Sequence, residues 1–183
     1  MLDRLKKDDG TSFARLTAEG KLIGCELEFQ HSYLDNRSQG GMPVALNGSF
    51  SVQFNSGKVP GYMLKINAMT FDPESTNWKL VKPAFSTALI NGRNFDLNKI
   101  TEFTCESGGR CVGYGDSDFG LMRTLISKPS LDATILLSLV KDGIDYRFSL
   151  SDLAKHSKKA DDLANFKRCA LEVADRAVKD LAR

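Results

Sequence analysis

The chain has no apolar run approaching the ~20 residues of a membrane-spanning helix, and residues 1–10 hold no apolar stretch of the kind a secretory signal needs. Histidine is scarce. His31 and His156 are the two present, and neither has a second ligand at His-x-x-x-His or Cys-x-x-Cys spacing, so no metal is assigned. Charge of one sign is also missing, because 25 Lys and Arg face 23 Asp and Glu. No strong field then draws in nucleic acid or anionic lipid, and neither is expected as a partner. No serine lies in Gly-x-Ser-x-Gly, and the loop 113–120 lacks both a P-loop lysine and an EF-hand ligand ladder. The sequence therefore supplies no catalytic residue and no cofactor.

Cysteine is sparse but informative. Cys105 and Cys111 flank Gly108-Gly109, where an antiparallel turn would hold them close enough to bridge. The other two, Cys25 and Cys169, lie near opposite ends and make an even count, as an oxidising compartment favours. The spacing in 105–111 differs from a redox Cys-x-x-Cys unit, and Glu106 disfavours a thiolate at Cys105. Structural disulfides Cys105–Cys111 and Cys25–Cys169 are expected. The corresponding location is periplasmic or secreted, with a signal removed ahead of Met1; the alternative is a cytoplasmic chain whose four thiols are reduced and packed as small apolar groups.

Residues 1–20 read as a polar N-terminal segment and 21–183 as a single β-rich domain. Ile23, Cys25, Leu27, Phe29, His31 and Tyr33 alternate with polar residues, the period of a half-buried strand that points Cys25 inward. A turn-rich stretch, 35–47, precedes strands at 50–54 and 62–68. An irregular excursion, 72–83, follows. Asn91-Gly92 marks a hairpin between 86–90 and 93–97, and Asp142-Gly143 marks another between 134–140 and 146–150. A short helix fits 118–127. From Ser151, a candidate cap, the period becomes 3.6 through 183, and Leu163, Phe166, Cys169, Ala170 and Val173 share one stripe. The fold class is α+β, mainly β: an antiparallel sandwich or twisted sheet with a short helix and a long C-terminal helix 151–183.

Phe103 and Cys105 at a strand end, the Gly-Gly turn, Cys111, the short helix, the 148–151 segment and an Ala-rich helix carrying Phe166 and Cys169 follow one another in an order that resembles the invasion-associated locus B type of bacterial envelope protein. The resemblance covers about the C-terminal two fifths. It implies a periplasmic, β-rich domain without established catalysis, and it carries over no catalytic residue. The expected function is a non-enzymatic envelope protein that binds another protein or an envelope component, with no transmembrane segment. Phe71 and Trp78, accompanied by Lys79 and Lys82, are the candidate binding residues. Aromatic residues in a long connection also serve simply to cover a core. The alternative function is a small hydrolase or other enzyme whose site assembles from distant residues.

Overall fold

The computed structural model describes residues 6–35, 41–54, 60–72, 77–81, 84–90, 93–94, 100–104, 110–116, 133–138, 149–157 and 161–181. Their strands are β1 (Gly10–Ala18), β2 (Lys21–Asp35), β3 (Met42–Phe54), β4 (Pro60–Asp72), β5 (Asn77–Val81), β6 (Ala84–Ile90), β7 (Arg93–Asn94), β8 (Ile100–Thr104), β9 (Arg110–Asp116) and β10 (Ala133–Ser138). Two helices follow, α1 (Leu150–Ala154) and α2 (Asp162–Leu181). The fold is α+β and mainly β. One sheet runs β1-β2-β3-β4-β9-β8, with β5 also paired to β4, and a second runs β10-β6-β7. Every pairing described is antiparallel.

Register explains the core. Cys25 lies opposite Val52, Leu27 opposite Phe50 and Phe29 opposite Gly48, while Val52 meets Tyr62, Phe50 meets Leu64 and Gly48 meets Ile66. Side chains alternate between faces, so this pairing collects the large apolar residues of three strands on one side of the sheet. Gly48 is the exception in that row for a physical reason. A Cβ there would collide with the Lys65 carbonyl and would lie 2.5 Å from the Phe29 ring, so the missing side chain lets Phe29 lie across β3.

The same face takes the helices. Leu150 and Leu153 of α1, with Phe166, Cys169, Ala170, Val173 and Ala174 of α2, are buried in one cluster with the strand residues. Each large side chain removed from water here contributes roughly 1.5–3 kcal/mol. A disulfide between Cys25 and Cys169, with α-carbons 6.0 Å apart, fastens α2 to β2 across 144 residues of sequence. At the rim, Arg15 of β1 meets Glu172 of α2 at 2.9 Å, with both side chains about half exposed. Such a pair adds only about 0–1 kcal/mol. No helix among the described residues is long and apolar enough to cross a membrane.

Several expectations need correction. The polar segment 1–20 contains β1, because Phe13 packs against the core while Ser12 and Arg15 stay exposed. The turn-rich stretch 35–47 yields to β3 from Met42 onward; Pro43 is tolerated near the strand's start, and Val44 and Leu46 continue the buried face. The excursion 72–83 contains β5, whose Trp, Leu and Val favour a pleated surface. The single helix 151–183 is two helices. Ser149, not Ser151, caps α1 by accepting a hydrogen bond from the Asp152 amide, and Leu150 is helical rather than the end of a strand. β6 and β7 pair as expected, with Ile90 opposite Arg93, Asn91 and Gly92 lying outside the described residues, whereas the described partner of β10 is β6. The expected helix 118–127 lies outside the described residues.

Candidate functional site

The β1–β2 register places Gly10 opposite Gln30, so Asp9 comes where the next cross-strand partner of His31 would stand. That position lies on the helix-facing side of the sheet, continuing the row of Cys25, Leu27 and Phe29. The Asp9 carboxylate is 9% exposed, and its Oδ2 is 3.3 Å from His31 Nδ1. Its other oxygen, Oδ1, is buried without a hydrogen-bond partner among the described residues. The His31 ring also stacks on Tyr33, two residues along the strand, with centroids 6.4 Å apart and planes 15° from parallel.

The turn after α1 closes over this corner. The amides of His156 and Ser157 donate to the carbonyls of Leu153 and Ala154, which brings the His156 carbonyl against Gly10. A Cβ at Gly10 would come within 3.1 Å of that oxygen, and the residue's φ of +149° lies where glycine is favoured. Ser157 Oγ lies 2.6 Å from the Thr11 carbonyl and 2.8 Å from Asp162 Oδ2. A serine hydroxyl has one proton and both neighbours accept, so that proton is shared between β1 and the first turn of α2. This competition for the Ser157 side chain accompanies the break between α1 and α2.

Burial holds the His31 imidazole below its ordinary range. The neighbouring Asp9 carboxylate pulls upward but does not overcome that effect, and the positive field of Lys6 and His156 adds to the lowering. At neutral pH the Asp9–His31 contact is therefore one between a carboxylate and a neutral imidazole. A proton on Nδ1 would serve Asp9 and leave Nε2 as the basic nitrogen. The arrangement can orient an imidazole and take up a proton under acidic conditions. The groups described include no cluster of three or more His, Cys, Asp or Glu suited to a metal ion.

The opposite face of the sheet differs in chemistry. Ser32, Ser49, Ser51 and Asn67 are buried there, and the hydroxyls of Ser32 and Ser51 have no hydrogen-bond partner among the described residues.

The candidate binding residues lie elsewhere. Phe71 of β4 is the register partner of Trp78 in β5, while Lys79 stands opposite Thr70. Lys82 lies outside the described residues. Cys25 and Cys169 meet as expected. Cys111 lies opposite Phe103, and Thr104 opposite Arg110, in the β8–β9 ladder; Cys105 lies outside the described residues. The sequence reading overlooked Asp9 and the approach of His156 to His31. The His31 and Tyr33 alternation put one end of the cluster on the core-facing side, but nothing in the spacing joined it to 156. Comparison with models of known protein families, with characterised proteins and with solved structures finds no match to this chain.

Proposed function

We propose that this chain is a non-enzymatic protein of the bacterial cell envelope that binds another protein or an envelope component. The observation that supports the location is the Cys25–Cys169 bridge. Structural disulfides persist in oxidising compartments and are rare in the cytosol. The sequence resemblance to invasion-associated locus B type proteins points in the same direction. The binding surface in this reading is built around Phe71, Trp78, Lys79 and Lys82, aromatic and cationic residues of the kind enriched at protein hot spots. Thiol trapping in intact source cells, followed by osmotic-shock fractionation and cross-linked pull-down, tests it. Release with the shock fraction, bridged and with a reproducible partner, is expected; recovery in the cytoplasm with reduced thiols would overturn it.

A second reading, an enzyme with a site assembled from distant residues, draws on the Asp9–His31 pair, since perturbed imidazoles beside buried carboxylates recur at catalytic sites. An unbiased hydrolase screen separates the readings: turnover lost in His31→Asn favours the enzyme.

A further inference from the structure

We propose that Asp9, His31 and His156 form an acid-released latch that holds the start of β1 and the turn after α1 against the sheet. The cluster lies where three segments join. Asp9 precedes β1 and meets His31 of β2; Gly10 lies under the His156 carbonyl, which a Cβ would approach to 3.1 Å; and Ser157 reaches the Thr11 carbonyl. A charge that appears on His31 is therefore delivered to the seam between β1, β2 and the turn.

The groups around His31 determine the sign. Asp9 and Lys6 face it from the segment before β1, and His156 from the turn after α1. Its β3 partner Leu46 is uncharged, and its own strand contributes Tyr33. With the His31 imidazole uncharged, the formal charges facing it from the segment before β1 are the Asp9 carboxylate and the Lys6 ammonium. Acid adds positive charge to His31, which then meets the positive fields of Lys6 and His156 beside the Asp9 carboxylate. The charged His31 ring also loses hydration by staying in place. Moving the turn and the β1 start outward restores water to His31 and separates it from His156.

The release is local. Beyond the seam, α2 remains fastened to β2 by Cys25–Cys169, and its buried stripe has no described part in the cluster. Leu153 and Phe13 anchor the two segments in the core, whereas the seam between them is held by the polar contacts of Asp9 with His31 and of Ser157 with Thr11, and the seam is the part that opens.

Amide hydrogen exchange on the intact, disulfide-bonded protein, corrected for intrinsic rates, tests the latch between about pH 7 and about pH 5, the range that spans ordinary histidine titration. Protection in 10–13 and 153–157 should fall severalfold in acid, while protection in 44–52 and 166–177 holds; in His31→Asn the acid response of the seam should disappear. An unchanged acid response in the variant, or a loss of protection spread evenly over the sheet, would overturn the proposal. Should the variant fail to fold, NMR titration of the wild-type protein decides: the opening midpoint must track the His31 ring signals, and a midpoint independent of them rejects the latch.

Discussion

Phe166 of α2 meets Phe50 of β3 edge to face, with ring centroids 5.7 Å apart and planes 65° from parallel. Both rings are essentially without solvent contact, and edge-to-face geometry sets the positive rim of one ring against the negative face of the other. This pair joins the helix layer to the middle of the sheet. Phe166→Ala should cost about 3–5 kcal/mol, the usual range for emptying a buried aromatic site. Denaturant unfolding measures it, and a loss under ~1 kcal/mol would place the ring outside the core.

Gly48 gives a test of the sheet register itself. Gly48→Ala drives a methyl toward the Lys65 carbonyl and the Phe29 ring, and the carbonyl belongs to the neighbouring strand. The substitution should therefore destabilise by about 1–3 kcal/mol, as overpacking does, although alanine is the smallest possible side chain. A neutral or stabilised variant would mean that β3 and β4 pair in another register.

The Asp9–His31 pair predicts the direction of acid sensitivity. Burial lowers the His31 pKa in the folded state, so the unfolded chain binds its proton more readily. Stability from this group is complete above the unfolded value of about 6.5 and is lost as pH falls through the folded value. Melting temperature should fall with acid across that window, and His31→Asn should flatten that part of the profile. A wild-type melting temperature that rises on acidification through this range would contradict the sign.

Trp78→Ala separates recognition from packing. If the surface around Phe71 and Trp78 binds a partner, folded variant protein keeps its melting temperature and loses that partner in pull-downs. If the residue covers a core, stability falls and pull-down partners stay. Its register opposite Phe71 makes the Phe71→Ala variant the matching control.

How far the sequence could be read depended on whether an element's signal was local. The alternation from Ile23 to Tyr33 identified β2 and turned Cys25 inward; the helical stripe turned Cys169 inward, and the bridge between them followed. Asn91-Gly92 likewise signalled the antiparallel pairing of the strands on either side of it. By contrast, β1 has no clean apolar alternation, and its strand character comes from pairing with β2, a tertiary term that no window of residues contains. Pro43 and the nearby glycines masked the first half of β3 for the same reason. The Asp9–His31–His156 corner was hidden more deeply. It depends on a cross-strand register at one end and on the end of α1 at 155–157 at the other, and neither is a periodicity.

The bridge between Cys25 and Cys169 underlies both the fastening of α2 and the exported location proposed above. On the loop-closure model, a link across this much chain is worth roughly 5 kcal/mol, so Cys25→Ser with Cys169→Ser should lower stability more than Cys105→Ser with Cys111→Ser, whose loop is far shorter. The most direct measurement is peptide mapping without reduction, on protein alkylated at the moment its source cells are lysed. A cross-linked peptide pair carrying Cys25 and Cys169 is the predicted result; recovery of both residues alkylated, or of either one joined to Cys105 or Cys111, would contradict it.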